Sequence, residues 1–368
     1  MISNRSGRLA ALLVVAGLIG AACSSNTGAT TAPSAASTEP SASVSAEGSA
    51  SASASAGGGL SVTFIPKQIN NPYFDAAKEG ADKAATELGG TVNQVGPSAA
   101  TEAQASYIQD ATTNAVSAIA ISANDPNAVV PALQAAKAAG IKVVGYDSSP
   151  ATGAYDVFVN QTDFSLIGQA MADWSCDLAP SCTGEIAILS AAATAANQNT
   201  WIDNMKGVLA GDKYKGLKLV DTVYGDDDPQ KSTTQAQALL QSHPDLKVIV
   251  APTTVGILAA AQVVSQAGKS ADVKVTGLGF PKQMASYVKD GTSPEFGLWS
   301  VPDLGYLTYY VADALVKGTI TGAAGETVTV PNLNDGKPYT IGENSTIILG
   351  PPLTFDKDNI DSQDWGPS

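Results

Sequence analysis

LSVTFIPKQINNPYFDAAKEGADKAATEL, residues 60–88, decides how the rest of the chain is read. Ser61–Ile65 is a short apolar β run closed by Pro66. From Tyr73 to Leu88, alanines and larger apolar residues recur at helical spacing, which predicts a helix burying one face. Between them lies a polar loop with Lys67, Asn71, Tyr73 and Phe74 at its far end. Strand, polar loop and helix make the first half of a βαβ unit.

The same rhythm continues outward. Strands are predicted at 92–95, 118–122, 143–146 and 156–159, with helices at 101–114 and 126–139. It then restarts, with helices at 164–178, 197–209, 232–242, 255–266, 282–289 and 304–316. The strands between them fall at 185–189, 218–223, 248–251, 273–278 and 295–299. Short apolar runs alternating with amphipathic helices imply parallel sheets joined by right-handed crossovers. Two such sets in tandem predict an α/β protein of two doubly wound parallel-sheet lobes joined by a multi-strand hinge. The expected division gives 60–162 plus about 301–318 to the N-terminal lobe and 163–300 to the C-terminal lobe. Residues 319–368 form a hinge-crossing tail with a strand at 346–349.

The first 59 residues read differently. Arg5 and Arg8 precede an apolar run from Leu9 to Ile19, then small residues and Cys23, the layout of a secretory signal over 1–22. Cys23 after Gly20-Ala21-Ala22 suggests a lipobox whose thiol is acylated, although Gly20 stands where such motifs usually carry Leu. Plain signal cleavage nearby is the alternative. Ser24–Gly59 is almost all Ser, Ala, Thr and Gly, with Glu39 and Glu47 its charges. That composition builds no core and predicts a tether at 23–59. The expected location is therefore the outer face of the cell membrane.

The net charge is −14, and loss of residues 1–22 would leave −16, which argues against nucleic acid as a partner. Besides Cys23 there are Cys176 and Cys182, close enough for a disulfide in an oxidising exterior. His243 is the single histidine, far from other ligating residues, so no metal is expected.

In doubly wound sheets, ligands bind outside the carboxyl ends of the strands. The residues there suit a sugar, whose C–H faces want aromatic planes and whose hydroxyls want charged or amide groups. Lys67, Asn71, Tyr73 and Phe74 follow the first strand; Tyr73 and Phe74 could equally be core residues of the first helical turn. Asp147 ends the 143–146 strand, where it either accepts from two hydroxyls or serves a turn. Asn197 and Gln198 head a helix, and N-capping alone could explain Asn197. Pro252 and Thr254 follow the 248–251 strand, and Trp299 ends a strand near the expected hinge as an opposite wall. Asp226-Asp227-Asp228 lacks calcium-loop spacing and reads as a solvated loop.

No nucleophile elbow, phosphate-cradling glycine loop or His-Glu-x-x-His helix is present, and Gly277-Leu278-Gly279-Phe280 is half a dinucleotide fingerprint. Neither an enzyme nor a cofactor is expected.

With these residues in place, the chain resembles the type I periplasmic-binding-protein group from Leu60 to Ile360. Asn71-Pro72-Tyr73-Phe74 is similar to the aromatic pair opening the first helix of ribose-binding proteins. Residues 64–67, 121–126, 159–161, 196–201, 249–252 and 295–299 resemble the branch of rhamnose-binding proteins and autoinducer-2 receptors. Such receptors read their ligand with a lysine, two aspartates, a glutamine, a proline and an alanine. The resemblance places these on Lys67, Asp147, Gln198 and Pro252, with Asn197 at the other aspartate and Thr254 at the alanine. The segments 190–201, 224–231 and 251–256 look closer to rhamnose-binding lipoproteins. What the resemblance implies is a monomer that captures a rhamnose-like sugar for an ABC importer permease, with autoinducer-2 reception as the alternative. A sensor could replace the permease as the reader of the closed lobes. A two-lobed transcription regulator would need a basic helix-turn-helix where this chain has its signal.

Overall fold

The computed structural model describes residues 59–363 and 365–367. The expected signal sequence, Cys23 and the tether through residue 58 lie outside the described residues. The chain enters through β1 (Ser61–Ile65), α1 (Pro72–Leu88), β2 (Thr91–Gln94), α2 (Ala105–Thr113) and β3 (Ala118–Ile121). Then come α3 (Val130–Ala138), β4 (Lys142–Tyr146), β5 (Val157–Asn160), α4 (Phe164–Leu178) and β6 (Gly184–Ser190). α5 (Ala196–Leu209), β7 (Leu217–Tyr224), α6 (Pro229–Ser242) and β8 (Leu246–Ala251) follow. After them stand α7 (Thr254–Gln266), β9 (Lys274–Gly277), α8 (Pro281–Lys289), β10 (Glu295–Leu298) and α9 (Val301–Val316). The tail adds β11 (Thr327–Val328), β12 (Tyr339–Thr340), β13 (Thr346–Ile348) and β14 (Leu353–Asp356).

Two parallel sheets organise these elements. One runs β13-β5-β4-β3-β1-β2 and the other β7-β6-β8-β9. In each, the strand order reverses beside the first strand of its set, at β1/β3 and at β6/β8, so each lobe has a topological switch point. Helices cover both faces of the first sheet. Along β3, Ala118 and Ala120 join one apolar cluster while Ile119 and Ile121 join the other, the two-sided burial of a parallel strand. The small alanines face the side on which α9 packs over β3, β4 and β5.

Helix starts follow local chemistry. Asn71 accepts from the Tyr73 N–H at 3.0 Å, with Pro72 in the first turn, and Gly89 ends α1 at φ 72°. α2 and α3 begin later than the periodicity predicts, at Ala105 and Val130 rather than 101 and 126. Ahead of α2, Gln104 spends its side chain on Pro66 O, Ser122 O and the Asn124 N–H. Ahead of α3, residues 126–129 form turns in which Asp125 accepts from the Asn127 and Ala128 N–H groups. The tail belongs to both sheets: β13 extends the first beside β5, whereas β14 pairs antiparallel with β10 beyond the end of the second. A single bridge from Leu278 to Gly297 joins β10 to β9.

Candidate functional site

The carboxyl ends of both sheets meet at one cavity. Lys67 stands two residues beyond β1, Asp147 directly beyond β4, and Asn197 and Gln198 in the first turn of α5 after β6. Pro252, Thr253 and Thr254 lead from β8 into α7, and Trp299 follows β10. The cavity encloses about 370 Å³ of empty space, its open mouth included. Lys67, Asn71, Tyr73, Phe74, Asp147, Gln198, Pro252, Thr254 and Trp299 all line it, and Asn197 reaches its edge through Lys67.

Polar groups from the two sides meet directly. Lys67 Nζ donates to Asn197 Oδ1 at 2.8 Å and to Gln198 Oε1 at 3.3 Å, and lies 3.9 Å from Asp147 Oδ2. Asp147 accepts from Ser122 Oγ at 2.6 Å and from Asn197 Nδ2 at 3.4 Å. Asn197 caps nothing: Ala195 occupies the N-cap of α5, and the Asn197 amide is spent on Lys67 and Asp147. Asp147 itself takes φ 58°, and the Ser148 N–H returns to Tyr146 O at 2.6 Å in a three-residue turn. Asp147 therefore serves the turn offered for it, while its carboxylate accepts from Ser122 and Asn197 at the cavity wall. Such a left-handed aspartate at a strand end is costly and survives where surrounding bonds fix it.

The Lys67 loop is held from behind. Asn124 Nδ2 donates to Lys67 O at 2.8 Å, and Gln104 Nε2 donates to Pro66 O at 2.9 Å and Ser122 O at 2.8 Å. Aromatic rings supply the wall. Tyr73 meets Phe74 edge-on at 5.1 Å between ring centres, and Trp299 lies 6.2 Å from Tyr73 and 5.8 Å from Trp201. Trp299 Nε1 donates to Tyr73 OH at 3.0 Å. Burial, and the nearby Asp147 charge, push the Tyr73 hydroxyl well above its usual range, so it stays protonated as a donor. Tyr73 and Phe74 are both core residues and lining residues.

One expectation is overturned. The acidic run does not lie wholly in solvent, because Asp227 is 6% exposed and lines the cavity. Asp226 and Asp227 take φ 53° and 52°, a left-handed pair that turns one carboxylate outward to Lys231 and the next inward. Asp228 accepts from the Lys231 N–H at 2.6 Å and caps α6. Thr253 Oγ1 donates to Asp227 Oδ1, and Gln68 Nε2 donates to Asp227 O at 3.1 Å. Trp201, Thr253, Leu278 and Leu298 also line the cavity and were not singled out as site residues from the sequence. The signals existed: Asp227 stands two positions after a Gly that follows a strand, where the strand-end rule points.

Away from the cavity, Cys176 and Cys182 are bonded, 2.02 Å apart, where α4 ends. Among the described residues no group of three ligating side chains could hold a metal, and no helix is long and apolar enough to cross a membrane.

Two parallel sheets whose strand ends share one polar, aromatic-walled cavity define a two-lobed binding clamp. The chain belongs to the periplasmic-binding-protein family, whose model, a periplasmic binding protein domain, matches residues 62–320. It is a binding protein of that extracytoplasmic family and not an enzyme. It is similar to an ABC transporter solute-binding protein from Clostridium phytofermentas solved with bound L-rhamnose, at 42% identity over 83% of this chain and 98% of that one, TM-score 0.80. A sugar ABC transporter protein from Actinomyces odontolyticus is 47% identical over 83% of this chain and 98% of that one, TM-score 0.67. LsrB from Clostridium saccharobutylicum, in complex with AI-2, is 25% identical over 83% of this chain and all of that one (100%), TM-score 0.77.

Proposed function

We propose that this protein captures a small sugar outside the cytoplasm, a rhamnose-like deoxyhexose above others, and presents it to an ABC importer permease. The observation that carries the reading is the cavity lining: one lysine, Asp147 and side-chain amides beside Tyr73, Phe74 and Trp299. Hydroxyls take the charged and amide groups, and the C–H faces of the ring take the aromatic planes. Similarity to the rhamnose-bound protein at 42% identity supports the choice of ligand. Lys67, Asn71, Tyr73, Phe74 and Asp147 would act from the lobe of residues 60–162 and 301–318. Asn197, Gln198, Pro252 and Thr254 would act from 163–300, with Trp299 at its end. A sugar bridging the two favours closure by its greater affinity for the closed state. Tethering through an acylated Cys23, with the protein working as a monomer, completes this reading.

The second reading is autoinducer-2 reception, supported by the likeness to LsrB. It is weakened at two positions. Asn197 supplies an amide where those receptors are expected to hold an aspartate, and Thr254 adds bulk and a hydroxyl in the lining.

Thermal-shift and calorimetric titration with L-rhamnose, L-fucose, D-ribose, D-xylose and autoinducer-2 tests the proposal. A sugar bound at 100 times its Kd stabilises by about 2.7 kcal/mol through mass action. L-rhamnose should give the largest shift; a response confined to autoinducer-2 would sink the favoured ligand. Asp147→Ala should lose roughly 100-fold or more in affinity, since it removes a charged acceptor. It should also lower the melting temperature of the empty protein, because Lys67 loses its buried partner and an alanine takes a left-handed backbone. A cooperative melting transition of the empty variant separates lost recognition from lost folding. Retained affinity would leave Asp147 as a turn residue alone.

A further inference from the structure

The charge expected at Asn197 has not vanished from the cavity; a carboxylate enters from another loop. Asp227 comes from the turn after β7, is 6% exposed, and lines the same cavity as Lys67 and Asp147. Its side chain meets one hydrogen-bond donor among the described residues, the Thr253 hydroxyl on Oδ1. A carboxylate has about four acceptor positions, so most of its capacity stays open toward the cavity. A second observation points the same way. Trp201 lines this cavity, is 1% exposed, and its Nε1–H has no acceptor among the described residues. Buried polar groups are partnered as a rule, and an open acceptor and an open donor on one cavity call for a ligand with hydroxyls.

The geometry points to Asp227 as a ligand-reading carboxylate, paired with Asp147 across the cavity, that selects neutral polyhydroxylated ligands against their anionic congeners. This rests on the reading of the site as a sugar site. Among the lining residues two carboxylates stand against one cation, Lys67, which Asn197, Gln198 and Asp147 already engage. An aldonate or uronate would bring a third negative charge into a closed space with no free cation on its lining, an uncompensated burial. A neutral sugar brings hydroxyl donors for both aspartates and an acceptor for Trp201 Nε1. The two aspartates come from opposite sheets, β4 and β7, so a ligand that satisfies both must bridge the lobes. Burial pushes the Asp227 carboxyl above its ordinary value, with the Asp147 charge adding to this and Thr253 and Lys67 opposing it. A hydroxyl donor from the ligand would relieve that buried carboxylate.

Calorimetry on the full chain, wild type against Asp227→Asn, with L-rhamnose and L-rhamnonate as the neutral and anionic pair, decides the matter. The expected result is a loss of about 10-fold or more for L-rhamnose, because an amide replaces a charged acceptor. The preference for rhamnose over rhamnonate should narrow by about 10-fold as one negative charge leaves the cavity. The melting temperature of the empty variant should not fall, which separates lost recognition from lost folding. Asn197→Asp in the Asp227→Asn background should restore part of the neutral-ligand affinity by returning a carboxylate to the same lobe. If wild type binds rhamnose and Asp227→Asn keeps both the affinity and the preference, Asp227 is not a reader, although the sugar reading survives. If wild type answers only autoinducer-2, also a neutral polyhydroxylated ligand, the same variant is titrated with that ligand, and unchanged binding again overturns the inference. A wild type that takes rhamnonate as tightly as rhamnose, or that takes no neutral ligand, overturns it outright.

Discussion

Lys67 carries three N–H bonds, and two of them are spent on amides from the facing lobe while Asp147 sits 3.9 Å away. A buried ion pair of this kind contributes little net stability, and losing one member leaves a buried charge that costs several kcal/mol. Its small net gain in stability agrees with the proposed role of the group in recognition. Asp227 shows its charge in the opposite way. Burial is the largest influence on its carboxyl, raising it from 3.8, and the Asp147 and Asp226 charges add to the rise. A carboxyl raised in the folded protein holds its proton more tightly than in the unfolded chain. Its stabilising contribution is complete below pH 3.8 and is lost as pH climbs through the raised folded value. Asp227→Asn removes that dependence. Melting temperatures of the empty proteins between pH 3 and 7 should therefore converge at the acid end and separate upward, with the variant the more stable at neutral pH. A separation constant across the whole range would show that ionisation of Asp227 has no part in it.

At the scale of elements, α1 and α9 approach so closely that two glycines are obligatory. A Cβ at Gly305 would fall 1.7 Å from Ala77 O, and one at Gly80 would fall 1.8 Å from Pro302 O. Neither contact is with a flexible side chain, so the helices must separate. Gly305→Ala should cost about 2 kcal/mol or more through overpacking, a fall of roughly 5 °C in melting temperature. Sugar affinity should stay within about twofold, because Gly305 lies outside the cavity lining. A variant as stable as wild type would mean that the helix pair has slack. Elements of this kind were readable in outline: β1, α1 and α4 start or end within a residue of where hydrophobic spacing places them. Spacing gave no hint of the glycine contacts, since helix partners are distant in sequence. The acidic run was misread for a related reason. Its three aspartates are chemically equal in the sequence, and only a pair of left-handed backbone angles sends Asp226 to Lys231, Asp227 inward and Asp228 to a cap. Gln104 and Asn124 stayed invisible as supports of Lys67 because their partners are backbone carbonyls and N–H groups, which carry no residue identity.

For the whole molecule, the telling feature is how the chain passes between its sheets: from β5 to α4, from β10 to α9, and from β13 to β14. Under the proposed closure, three passages would restrict the lobes to a bending motion, with bonds across the cavity deciding which position is favoured. Gln68 isolates that effect because it does not line the cavity. Its Nε2 donates to Asp227 O at 3.1 Å, while its Oε1 accepts from the Ala100 N–H at 2.9 Å. Gln68→Glu keeps the acceptor for Ala100, loses the donor, and sets a carboxylate against the Asp227 carbonyl and its buried charge. Closed molecules should become rarer in the empty protein, and apparent affinity falls in proportion to the closed fraction. One lost bond with added repulsion, about 1.4 kcal/mol, corresponds to about a tenfold rise in Kd. Solution scattering should show a larger radius of gyration for the empty variant than for empty wild type, with the two converging at saturating sugar. Equal radii and equal Kd values would mean that the Gln68 bond follows closure without contributing to it, and that the groups touching the ligand set the balance by themselves.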